Sequence, residues 1–133
     1  MKKIAILSLC ALLALCGCTS KADKAGAAAS NFLEAFFAMD YDAAAAFCSD
    51  EIATLVRDTL EASQYPSEEI RAKVVEASKN TTFKIVSSEA DEETGEVTVK
   101  YEIYPYGAPK GAAIPRTMRL GKTGGDWKVV ALE

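Results

Sequence analysis

Histidine is absent from all 133 residues. This removes the commonest metal ligand and the one side chain whose ordinary pKa sits near neutrality. A zinc centre has no imidazole to draw on, and serine and threonine lack the usual partner for nucleophilic work. Basic residues are also in deficit, 15 Lys and Arg against 19 Asp and Glu, for a formal charge of −4. That balance excludes nucleic acid as an electrostatic partner. A phosphate-cradling glycine loop opening a helix is missing too, because Gly124-Gly125 falls between two strand-like segments. Nor does any apolar run reach the ~20 residues that span a bilayer.

The longest apolar run lies at the N-terminus. Met1-Lys2-Lys3 precedes Ile4 to Leu15, which only Ser8 and Cys10 interrupt. A positive start and a short apolar core are the form of a secretory signal. Leu15-Cys16-Gly17-Cys18 follows and resembles the lipobox of bacterial lipoproteins, with an aliphatic residue three before the cysteine and a small one just before it. Cys18 fits that pattern, whereas Cys16 would place bulky Leu15 at the cleavage point. The resemblance implies that residues 1–17 are a signal peptide and that Cys18 is lipid-modified. Residues 18–25 then form the lipidated cysteine with a short polar tether, and residues 26–133 one domain. The protein is expected to be exported and held to a bacterial membrane by the lipid on Cys18. Removing Lys2 and Lys3 from the 15 basic residues leaves 13 against 19 acidic, a formal charge of −6. Cys48 would be the one cysteine left free, with no partner for an internal disulfide. It follows Ala43-Ala44-Ala45-Ala46-Phe47 in a helical pattern and reads as a small buried residue.

The first half of the domain is patterned for helices. Ala29, Phe32, Leu33, Phe36 and Phe37 recur at three- and four-residue spacing, predicting a helix from about Gly26 to Met39. Asp40 is placed to cap a short alanine-rich helix, with Asp42 at its positive end. Ser49 caps the next, whose stripe is Ile52, Leu55 and Val56. Ser67 caps a last one after Pro66, with Ile70, Val74 and Ala77 on one face. After Asn80 the period becomes two. Phe83 and Ile85 alternate with Lys84 and Val86, an acidic turn runs from Asp91 to Gly95, and Val97, Val99, Tyr101 and Ile103 share one face. Ile114, Met118 and Leu120 belong to a third strand, expected to bend or bulge at Pro115. Lys122 to Gly125 turns into a fourth beginning at Trp127. Helices followed by an antiparallel meander specify an α+β domain, with N-terminal helices packed on a four-stranded sheet.

A phenylalanine-rich first helix, Met39-Asp40-Tyr41-Asp42-Ala43-Ala44 and a meander ending Arg119-Leu120-Gly121-Lys122-Thr123-Gly124-Gly125-Asp126-Trp127 form a further pattern. It resembles the small bacterial lipoproteins of unknown function in the nuclear-transport-factor-two-like superfamily, also described as SnoaL-like or cystatin-like rolls. The resemblance implies a curved sheet wrapped around the first helix to leave a conical cavity. Enzymes of that superfamily commonly place an aspartate with a histidine or tyrosine inside the cone, and many other members only bind or dimerise.

Without histidine the usual dyad cannot form, so the chain is expected to bind rather than catalyse. Carboxylate and tyrosine groups alone leave a small isomerase- or dehydratase-like enzyme as the alternative. No catalytic residue, metal ligand or cofactor is assigned. Asp40 and Asp42 already serve a helix start, and Tyr101 reads as core or cavity wall. Arg116 shares a face with Ile114 and Met118 by alternation, and is expected to reach water if Pro115 introduces a bulge. Residues expected to line a cavity are Phe32, Phe36, Tyr41, Tyr101, Arg116, Met118 and Trp127, with Tyr41 at the rim and Trp127 placed to report occupancy. The expected partners are a small apolar ligand or an envelope protein. The outer sheet face, with Lys100, Glu102 and Tyr104, is the candidate surface for a protein partner or a homodimer.

Overall fold

The computed structural model describes residues 20–62, 65–109 and 111–133. The signal peptide and the lipidation expected at Cys18 lie outside the described residues. Helix α1 spans Lys21–Phe37 and begins five residues before the expected start. Ser20 caps it, accepting a hydrogen bond from the Asp23 amide at 3.1 Å. The segment from Lys21 to Ala25 is therefore helix rather than tether. Ala22 and Ala25, hidden among charged residues in the sequence, continue the buried face of Ala29, Phe32 and Leu33. Ala25 and Ala29 are completely buried.

The end of α1 is a Schellman turn. Asp40 N–H donates to Ala35 C=O and Met39 N–H to Phe36 C=O, each at 3.0 Å. The turn puts Met39 at φ 60°, a conformation that favours glycine. Asp40 then caps α2 (Tyr41–Ala46) through the Ala43 amide, as its position in the sequence requires. Helix α3 spans Asp50–Ala62 and buries Ile52, Ala53 and Val56, while Leu55 is 55% exposed and turned away from the core. Helix α4, Glu68–Asn80, is capped by Ser67. It buries no residue completely and leaves Ile70 42% exposed, so the predicted apolar stripe of Ile70, Val74 and Ala77 packs only loosely. Ser78 ties its last turn to α1 by donating to Phe37 C=O at 2.8 Å.

Four strands follow, β1 (Thr82–Ala90), β2 (Val97–Tyr104), β3 (Ile114–Thr123) and β4 (Asp126–Leu132). They form one antiparallel sheet in the order β1-β2-β3-β4 that does not close into a barrel. Pro115 sits opposite Glu102 in an unbroken register, so the bulge expected there is absent. Bulges occur instead between Ile85 and Ser87 and between Arg119 and Leu120. Proline is tolerated at 115 because β4 pairs with β3 only from Thr117 onward, leaving the outer edge of Ile114–Arg116 unpaired. Gly124 and Gly125, both at positive φ, make the two-residue β3–β4 turn. The free side of β4 is covered at Val129, whose backbone bonds Phe47 and Ser49.

Helix α1 lies across the inner face of the sheet and contacts all four strands. The core joins it to Val97, Val99, Met118, Leu120 and Val129, all fully buried. The two halves of α1 differ in bulk. Near its start a Cβ on Gly26 would fall 2.9 Å from Ser88 Oγ, so helix and β1 approach closely there. The other half carries Phe32, Phe36 and Phe37. No described helix is long and apolar enough to cross a membrane.

Candidate functional site

The phenylalanine half of α1 overhangs the end of the sheet where β4 runs out. A cleft of about 270 Å³ opens there. Its helical wall is Phe32, Leu33, Phe36 and Phe37, and its sheet wall is Tyr101 and Ile103 of β2 with Arg116 of β3. Leu132 and Glu133, at the end of β4, close the remaining side. The aromatic wall is held by ring contacts. Phe36 sits 5.8 Å from Phe32, 5.6 Å from Phe37 and 5.6 Å from Tyr41, the last two edge to face. Phe37 stacks in turn on Phe83 of β1. Such pairs fix ring orientation beyond what area burial alone provides.

Two polar groups face this apolar space. Tyr101 and Arg116 are direct cross-strand partners, and both project to the inner face. Tyr101 is largely buried, yet its hydroxyl has no hydrogen-bond partner among the described residues. No buried side-chain polar atom among those residues is unsatisfied, so the Tyr101 hydroxyl reaches the water of the cleft. Burial pushes its pKa above the ordinary phenol value, and the nearby Arg116 guanidinium partly opposes that rise. The phenol is therefore a proton-bearing donor at neutral pH, not a base. Arg116 is exposed at the mouth and bonds only the carbonyl of its neighbour Pro115, at 3.1 Å. Among the described residues no carboxylate lies within ion-pair distance of it. The Glu133 side chain is engaged by Arg119 at 3.3 Å, and Arg119 also pairs with Glu96 at 3.1 Å. Arg116 therefore needs no bulge to reach water; it reaches the mouth because β3 outruns β4.

The seven residues predicted to line a cavity divide. Phe32, Phe36, Tyr101 and Arg116 come together in the cleft. Met118 is fully buried in the solid core two residues further along the inner face of β3. Tyr41 packs its ring on the far side of Phe36 and faces a separate groove with Met39 and Tyr65. Burial and Tyr65 both raise its pKa. Trp127 lies at the opposite end of the sheet, paired with Lys122 and beside Lys21 and Lys24 of α1, so its fluorescence does not report on the cleft. Leu33, Phe37, Ile103 and Leu132 complete the apolar lining. Leu33 and Ile103 carried the same periodic signal as core residues, and only the shortness of β4 separates them.

Larger grooves, of about 620, 550, 490 and 360 Å³, mix charged and polar side chains into their walls, including Lys21 and Lys122 in the first, Glu34, Lys79 and Thr82 in the second, Glu68 and Arg71 in the third, and Asp126 and Lys128 in the fourth. The smaller cleft, with apolar walls and two convergent polar groups, has the make-up of a ligand site. Acid–base pairs are not assembled in it. Asp40 serves as a helix cap, and Asp42 lies 3.8 Å from Arg57 on the surface. Cys48 is buried with its thiol on the Ala44 carbonyl, and burial pushes its pKa up to about 11 against the opposing pull of Lys128. Among the described residues no three potential metal-ligating side chains come together. No protein-family model, curated protein or solved structure matches the chain.

Proposed function

We propose that this chain is an exported, lipid-anchored envelope protein of the nuclear-transport-factor-two-like type, and that its domain binds a small, mostly apolar ligand without transforming it. The observation that carries the reading is the cleft between the phenylalanine half of α1 and the short end of the sheet. Its volume equals about nine waters at ~30 Å³ each, enough for one ring with a short chain. A lipid on Cys18 would precede the capping Ser20 by two residues, whereas the cleft lies at the far end of α1, which at 17 residues is about 25 Å long. A ligand would therefore enter from the aqueous side rather than from the bilayer. Tyr101 as a neutral donor, and the distance of Asp40 and Asp42 from the cleft, favour binding over acid–base chemistry.

Two experiments test the two halves of the proposal. Cys18→Ser should abolish acyl labelling in cells, and retained labelling would reject the anchor. For the cleft, the purified protein in lipid nanodiscs is titrated with the neutral probe 3-phenylpropan-1-ol and followed by methyl NMR. Saturable shifts are expected at Leu33, Ile103 and Leu132, with Val97 and Val129 unmoved. Shifts at Val97 and Val129 instead, or no saturation, would reject the cleft as a binding site.

A further inference from the structure

The cleft carries a chemical preference as well as a shape. Arg116 stands at its mouth as a fixed cation that no carboxylate neutralises among the described residues. The other arginine of β3, Arg119, faces the outer side of the sheet, where it binds two carboxylates, Glu96 and Glu133. The contrast is local to one strand. Arginines three residues apart project to opposite faces, one saturated by anions and the other bonded only to a backbone carbonyl. Beside Arg116, the Tyr101 hydroxyl supplies a second donor that has no hydrogen-bond partner among the described residues and is not sealed from water. A guanidinium and a phenol on directly paired residues form a two-point donor set of the kind that fits a carboxylate. The apolar walls then have room for a hydrocarbon body of one ring or a short chain.

We infer that the ligand of this cleft is a small amphiphilic monocarboxylate, its carboxylate held by Arg116 and Tyr101 at the mouth and its hydrocarbon part among Phe32, Phe36 and Ile103. The acidic balance of the chain does not oppose this, since Debye screening limits distant charges to about 8 Å at physiological salt. Glu133, the acidic side chain nearest the cleft, is already engaged by Arg119. The inference rests on the cleft being a binding site at all, and a matched probe set keeps the two questions apart.

The probes are 3-phenylpropanoate, 3-phenylpropan-1-ol and 3-phenylpropylamine, which share one hydrocarbon body and differ in charge. Each is titrated into the nanodisc-bound protein, reading the Leu33, Ile103 and Leu132 methyl resonances. The anion is expected to bind roughly tenfold more tightly than the alcohol, as a charge-assisted hydrogen bond implies, and the amine more weakly than either. Arg116→Gln, on an exposed side chain that leaves the core untouched, should remove the preference for the anion over the alcohol. Tyr101→Phe should weaken the anion more than the alcohol. Equal affinity for anion and alcohol, or an anion preference that survives Arg116→Gln, overturns the carboxylate assignment while leaving the cleft in place. Failure of all three probes to saturate those methyls overturns both.

Discussion

Replacing either Ile103 or Leu120 by phenylalanine adds the same bulk to the same inner sheet face. Ile103 lines the cleft at the end of β2, whereas Leu120 is fully buried in the core on β3. At Leu120 the extra atoms have nowhere to go, and overpacking costs about 1–3 kcal/mol. At Ile103 they enter a space of about 270 Å³, several times what the substitution requires. The added ring also buries apolar area against Phe36 and Phe37, at about 25 cal/mol per Å². The expected change is within about 0.5 kcal/mol of zero and of either sign. Urea unfolding separates the two outcomes. With a slope of about 1–3 kcal/mol/M, Leu120→Phe lowers the midpoint by on the order of 1 M and Ile103→Phe barely moves it. Ile103→Phe should nevertheless abolish binding of the phenylpropyl probes. A loss of about 1 kcal/mol or more at Ile103 would refute the reasoning, because it would mean that the walls already touch.

Cys48 should resist thiol reagents at neutral pH in the folded protein, since it is buried and its pKa is pushed up to about 11. The folded thiol holds its proton more tightly than the unfolded one, whose value is near 9, so stability falls as pH rises from about 9 to 11. A pH series of unfolding curves should show a smaller fall in Cys48→Ala. Met39→Gly removes a side chain from a left-handed backbone position and should stabilise the domain by about 1 kcal/mol, read as a rise in the urea midpoint. Gly26→Ala gains about 1 kcal/mol of helix propensity but meets Ser88 Oγ at 2.9 Å. Alone it should be close to neutral, and in a Ser88→Ala background it should recover most of that gain, which a double-mutant cycle measures.

Much of this architecture is legible in the sequence because the signals are local. The caps at Asp40, Ser49 and Ser67, the two-residue alternation from Val97 to Ile103 and the Gly124-Gly125 turn each express one backbone requirement. The early start of α1 was hidden because Lys21, Asp23 and Lys24 surround the two alanines that face the sheet. The bulges are not legible, since the extra backbone steps fall at Val86 of β1 and Val130 of β4, and valine at either position suits a regular strand. Pro115 carried such a signature and made no bulge, because the missing hydrogen bond falls on an unpaired edge. For the candidate site, helical spacing points to Phe32 and Phe36, and strand alternation to Tyr101 and Arg116. Alternation alone could not distinguish Arg116 from Met118, although one stands at an open mouth and the other in solid core. That difference is set by where β4 stops relative to β3, a tertiary fact. Trp127 illustrates the same limit, sharing the inner face but lying at the other end of the sheet.

The central claim is that the end of the sheet beneath Phe36 and Phe37 is a ligand site for a small carboxylate. Its most direct test is a crystal structure of the protein grown with 3-phenylpropanoate. The account predicts the carboxylate about 3 Å from both the Arg116 guanidinium and the Tyr101 hydroxyl, with the ring between Phe32, Phe36 and Ile103. A cleft closed by the Phe36 side chain, or the probe seated elsewhere with Arg116 still free, would contradict it.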